Sequence, residues 1–100
     1  MTVNICGIPH KVIVKKDSFD VDCHMGQINY KDATILINED MTSEMQKEAI
    51  CHEMVHGMLM HLGYNELTND ETFVQGLGNA ICQGFEIKAG FDKIESEEQI

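Results

Sequence analysis

Residues 42–63 read TSEMQKEAICHEMVHGMLMHLG, and the folding of this stretch decides the rest of the chain. Thr42 or Ser43 suits a helix N-cap, and Glu44 suits the first turn, where the helix dipole favours an acid. Met45, Ala49, His52, His56 and Leu59 then recur at three- and four-residue intervals, the spacing of an amphipathic helix. Gly63 is the residue type expected just past its end. On a helix, residues i and i+4 share a face, so His52 and His56 can direct two imidazoles at one metal ion. Glu53 turns toward the same opening, placed to take a proton from a metal-bound water. The run from His52 to His56 is thus an H-E-x-x-H motif on a predicted helix.

Before this helix the hydrophobic period is two. Strands are predicted over Thr2 to Cys6, Ile8 to Lys15, Gly26 to Tyr30 and Thr34 to Asn38, with turns at Gly7 and at Lys31-Asp32-Ala33. Pro9 lies near the start of its strand, where proline is tolerated. Two adjacent hairpins are the simplest arrangement. Lys16 to Met25, with Asp17, Asp20 and Asp22, reads as an acidic loop. After Gly63, Tyr64 to Thr68 reads as a connection. A second helix is predicted from about Asn69 to Lys88, with Phe73, Val74, Leu77, Ala80, Ile81 and Gly84 on one side. Gly76, Gly78 and Gly84 each cost it about 1 kcal/mol relative to alanine, a cost tolerated where another backbone packs close. The expectation is an α+β fold: a small, mainly antiparallel sheet of about four strands packed on two helices. The chain reads as one domain over residues 1–100, with an acidic, frayed tail from Glu95 to Ile100.

Composition narrows the function classes. The formal charge is -10 and all seven basic residues are lysines, which argues against nucleic-acid binding because phosphate neutralisation needs a basic patch. There is no signal-peptide pattern at Met1 to Cys6 and no stretch of transmembrane length, so membrane contact is not expected. Cys6, Cys23, Cys51 and Cys82 form no C-x-x-C pair and read as reduced thiols in a cytoplasm. Cys51 lies about 100° around the helix from His52 and reads as a small buried hydrophobe. Cys23-His24 reads as loop chemistry rather than as a metal site.

Catalytic zinc keeps three protein ligands and one water, so a third ligand is needed. The pattern H-E-x-x-H-x-x-G-x-x-H would require glycine at Leu59 and histidine at Leu62, and His61 is one residue out of place, so that class is rejected. The alternative is a carboxylate from the following helix. Helical phase favours Asp70; the longer reach of Glu71, with the small Gly78 beside it, favours Glu71. Glu66, in the connection, is a poorer candidate because loops position ligands less firmly.

The run from Glu48 through His56 to Leu62-Gly63-Tyr64, then Asp70-Glu71-Thr72-Phe73-Val74, resembles the very small gluzincin-type metallopeptidases. It looks most like the short phage and mobile-element proteins grouped near the ImmA/IrrE metallopeptidases. The resemblance includes the Gly26 to Ile28 strand and the Ile-Leu-Ile strand before the metal helix. It implies an α+β fold, a Zn2+ ion held by His52, His56 and Glu71, and hydrolysis of a peptide bond in a peptide or protein substrate. Glu53 would then be the general base. A tetrahedral oxyanion needs a further donor, for which Tyr64 ranks first, ahead of Tyr30, His61 and His24. Thr34 to Asn38 is expected to offer an edge to an extended substrate. The rival reading is a non-catalytic, zinc-stabilised phage or mobile-element protein that binds a host factor.

Overall fold

A computed structural model of the protein describes residues 1–16 and 26–85. The predicted loop 17–25, including Cys23 and His24, the end of the second helix beyond 85 and the acidic tail lie outside the described residues.

The fold is α+β. Strands β1 (Thr2–Ile5), β2 (Ile8–Lys15), β3 (Gly26–Asn29) and β4 (Thr34–Asn38) precede helices α1 (Ser43–Leu62), α2 (Asn65–Thr68) and α3 (Glu71–Gly84). The two predicted hairpins exist: β1 pairs antiparallel with β2, and β3 with β4. They are not joined edge to edge in chain order. The sheet order is β1-β2-β4-β3, and β2 runs parallel to β4 with Val12 opposite Ile35 and Val14 opposite Ile37. The sheet is therefore mixed, and β4 is an interior strand. The expectation that Thr34 to Asn38 offers a free edge is corrected: the edge on that side is β3. Pro9 is accommodated because β4 begins opposite Lys11, so no ladder bond from β4 is required at residue 9.

Alternation puts Val3, Ile5, Val12, Ile35 and Ile37 on one face of the sheet, where they pack with Ala49, Ile50 and Met54 of α1. The caps of α1 form as its sequence demands. The Thr42 hydroxyl accepts from the Met45 N–H at 3.2 Å, and Gly63 closes the helix at φ 86°, a left-handed conformation that favours glycine. The single stripe expected on α1 is too narrow. Met45 is exposed, whereas Ile50, Met54 and Val55 are buried. The reason is position: α1 lies between the sheet and α3, so it buries two flanks.

On its other flank, Val55 and Leu59 meet Val74, with Ile81 partly buried beside them. Helix α3 is shorter at its start than predicted, and Phe73 and Leu77 are exposed, so its buried side is narrower than expected. Gly78 explains how the helices approach: a Cβ there would lie 3.2 Å from both the Cα and the N of His52. Among the described residues nothing lies within 4 Å of the corresponding position at Gly76 or Gly84, so close backbone packing there accounts for Gly78 alone. The Tyr64 to Thr68 connection is itself largely a short helix, α2. Among the described residues, no helix is long and apolar enough to cross a membrane.

Candidate metal centre

His52 and His56 leave α1 on the side facing the start of α3. There the two candidate acids take different tasks. Asp70 is the N-cap of α3, its Oδ1 accepting from the Phe73 N–H at 3.1 Å. Glu71, the first residue of the helix, is free to reach across. Its Oε1 lies 3.0 Å from His52 Nε2 and its Oε2 lies 3.3 Å from His56 Nε2. Donor atoms of His52, His56 and Glu71 all fall within 4.8 Å of one another, so this group could hold a metal ion. The phase argument for Asp70 fails on position: its short side chain turns back onto the end of α3, and the donor atoms that converge with those of His52 and His56 are those of Glu71.

Neighbouring hydrogen bonds orient both imidazoles. Gln75, one turn after Glu71, places its Oε1 2.7 Å from His52 Nδ1. Its Nε2 donates to Glu48 Oε1 at 3.3 Å and to Asn79 Oδ1 at 2.9 Å, which fixes the amide orientation and makes Oε1 the acceptor for His52. His56 Nδ1 lies 3.0 Å from Thr68 Oγ1, and that hydroxyl donates its one proton to the His56 carbonyl at 3.2 Å. Thr68 must therefore accept from His56 Nδ1–H. Nδ1 therefore carries a proton in both rings, and each Nε2 faces a Glu71 oxygen, at 3.0 and 3.3 Å, a contact that needs a cation between the partners. A metal ion satisfies that requirement, as does a proton in its absence. The donor set of two imidazoles and one carboxylate fits zinc chemistry.

Glu53 is 7% exposed. Its burial pushes the carboxyl up to about 7; Glu71 adds to the rise, while His52 and the Ile28 backbone N–H, which bonds the carboxylate, oppose it. Glu53 is thus held between α1 and β3, the edge strand of the sheet among the described residues. An open cleft of about 850 Å³ exposes this group, bordered by Gly26, Gln27 and Ile28 on β3, by Met60 on α1 and by Tyr30. Burial raises the Tyr30 phenol, as do Glu53 and Glu71, against the effect of its hydrogen bond with Thr68.

The cleft does not include Tyr64. That residue begins α2, with its N–H bonded to the Leu59 carbonyl at 2.8 Å, and its side chain is exposed. His61 is also elsewhere, packed against His10, and Glu66 does not line the cleft. The first-ranked oxyanion donor is corrected accordingly: the tyrosine brought to the site is Tyr30. Its neighbours Thr68 and Gln75 went unnoticed in the sequence. A signal existed for Gln75, which stands four residues after Glu71 and so shares its helical face. None existed for Thr68, which is placed by the turn after α1. Cys51 is buried, as expected of a small hydrophobe, and burial followed by a hydrogen bond from its own thiol to Cys82 pushes that thiol up to about 12.

Compared with models of protein families, with curated proteins and with solved structures, the chain matches none.

Proposed function

We propose that the chain is a zinc-dependent metallopeptidase of the minimal gluzincin type, acting in the cytoplasm on a peptide or protein substrate. The observation that carries this reading is the convergence of His52, His56 and Glu71 within 4.8 Å, with Glu53 beside them at the rim of an open cleft. Both histidines and Glu71 would hold the ion, which supplies Lewis acidity toward a peptide carbonyl and acidifies a water. Glu53 is not needed as a ligand, so its carboxylate is available to take the water's proton and deliver it to the leaving amine. The Tyr30 hydroxyl borders the same cleft and, by exchanging its hydrogen bond with Thr68, can donate to the oxyanion.

The open edge of β3 supports a peptide as the substrate. Its inner side pairs with β4, and among the described residues no strand pairs with its outer side, which borders the cleft, where an extended chain can add as a further strand. The Ile28 N–H is already used by Glu53, which brings the base close to that edge.

The test compares new peptide termini formed in an extract of the natural host by the zinc-loaded wild type and by Glu53→Gln. Cleavages made by the wild type and lost in the folded, zinc-loaded variant are expected. Equal cleavage by both overturns Glu53 as the base, and no cleavage by either overturns the peptidase reading in favour of the zinc-stabilised binder.

A further inference from the structure

Two thiols meet across the seam between α1 and α3, beside the candidate metal centre and outside its chemistry. Cys51 of α1 is 1% exposed, and Cys82 of α3 is half-buried. Both are free, and the Cys51 thiol donates a hydrogen bond to the Cys82 sulfur.

Their meeting follows from the face that α3 turns to α1. Gln75, Gly78 and Cys82 recur at three- and four-residue intervals and share that face. Gln75 bonds both His52 and Glu48 of α1. At Gly78 an added Cβ would lie 3.2 Å from the His52 Cα and 3.5 Å from the Cys51 carbonyl carbon. The Cα atoms of Gly78 and His52 are therefore within about 5 Å of one another. Disulfides span Cα separations of about 4.4–6.8 Å, so the two backbones cross at a distance that a bridge can accommodate. Cys51 and Cys82 flank this crossing, one adjacent to His52 and the other one turn beyond Gly78. The remaining approach of the sulfurs, to about 2.05 Å, falls to the side-chain torsions.

Metal binding does not explain the pair. A structural zinc site needs four ligands. Among the described residues, the group of three or more His, Cys, Asp or Glu side chains whose ligand atoms converge is His52, His56 and Glu71, and neither cysteine belongs to it. The nearby Glu48 carboxylate is engaged by Gln75. What two touching thiols without a metal can still do is oxidise to a disulfide.

We propose that Cys51 and Cys82 are a redox pair that closes to an intramolecular disulfide and clamps α3 onto α1. The oxidant is a small-molecule disulfide of the glutathione class. Cys82, the more accessible partner, attacks one sulfur of the oxidant as a thiolate; the oxidant's S–S bond breaks, one small thiol leaves and a mixed disulfide forms. Cys51 then gives up its proton and attacks the Cys82 sulfur, and the second small thiol leaves with a proton. Two protein thiols lose two electrons and two protons, and one small disulfide becomes two thiols. The same exchange in reverse opens the bridge. The bridge joins the two helices that the candidate metal centre also joins, so oxidation holds α3 in place in metal-free protein.

The experiment uses metal-free, full-length protein carrying Cys6→Ser and Cys23→Ser, which leaves this pair alone. It is equilibrated with mixtures of reduced and oxidised glutathione, in buffer and in concentrated urea, then quenched and alkylated, and the bridged fraction is read by mass. A bridge within single chains is expected, with the Cys51 and Cys82 peptides joined until reduced. Its formation constant should be at least about tenfold higher in buffer than in urea, because the fold holds the sulfurs together. Bridged protein should melt roughly 10 °C above the reduced form and exchange its α3 amides more slowly. Peptide mapping of the unsubstituted chain should find the same bridge. Two alkylatable thiols throughout, glutathione retained on Cys82 without closure, or a formation constant no higher in buffer than in urea overturns the proposal. Because the protein is metal-free, each outcome is independent of the zinc reading.

Discussion

The two flanks of α1 are built differently. Toward the sheet, Ala49, Ile50 and Met54 join five buried aliphatic side chains from three strands in a continuous apolar layer. Toward α3, the buried apolar contact reduces to Val55, Leu59 and Val74. The rest of that seam is the Gly78 contact, the Gln75 network and the three groups that could hold a metal ion. The sheet flank is held by burial, which needs no ligand. The α3 flank carries two half-buried imidazoles and an exposed carboxylate that could hold a cation. On the proposed reading a metal there is both chemical centre and fastening, so its loss should loosen α3 and leave the sheet largely as it was.

The largest predicted effect follows directly. At free zinc a thousandfold above Kd, binding adds about 4 kcal/mol to stability. Chelation should lower the melting temperature accordingly. Amide exchange should rise first in α3, while β2 and β4 exchange changes least. Uniform acceleration across both flanks would break the comparison.

The next effect concerns Glu53 in metal-free protein. Its carboxyl titrates near 7 when folded, against an ordinary value of 4.5, so the folded state holds the proton more tightly than the unfolded one. Its contribution to stability is fully present below pH 4.5 and is lost as pH rises through 7. Glu53→Gln lacks this loss. Relative to its position at pH 4, metal-free Glu53→Gln should gain up to about 3 kcal/mol on the wild type by pH 8, read from urea melts at both pH values. An unchanged difference between the two would show that burial does not perturb this carboxyl.

Two glycines then separate the flanks. A Cβ at Gly78 meets His52 backbone at 3.2 Å, whereas one at Gly57 meets the side-chain tips of Ile5 and Ile28 at 3.0 to 3.1 Å. Each alanine substitution should cost about 2 kcal/mol by crowding. Gly78→Ala should also weaken zinc binding, because it moves α3 and with it Glu71, and Gly57→Ala should weaken it far less. Equal affinities would show that the helix separation does not set the ligand geometry. The smallest predicted effect is that of Gln75→Ala, which removes the acceptor on His52 Nδ1. About a tenfold loss of zinc affinity, with the apo melting temperature changed little, is expected.

What the sequence disclosed follows local rules. Strands β2 and β4, the Thr42 cap and the Gly63 terminus depend on residues within a turn of one another, and all were legible. So was the histidine pair, because the helix alone sets its spacing. The parallel pairing of β2 with β4 was hidden, since alternation shows which side chains share a face but not which strands are neighbours. The two-sided burial of α1 was hidden for a related reason: Ile50 and Val55 fall on different flanks, and a single stripe cannot contain both. Glu71 and Asp70 were inseparable until the cap was seen. Tyr30 displaced Tyr64 because proximity across the cleft is set by the sheet order, which adjacency to the metal helix does not reveal.

Zinc binding at the His52–His56–Glu71 centre is the most direct test of the account. Metal-free, tag-free protein is titrated with Zn2+ alongside the same protein carrying His56→Ala or Glu71→Ala. The account predicts one ion per chain in the first, no stoichiometric binding with His56→Ala, and an affinity lowered by at least about tenfold with Glu71→Ala, whose side chain is exposed enough to be removed without unfolding the chain. No bound zinc in the first protein, or one ion retained at full affinity in all three, would contradict it.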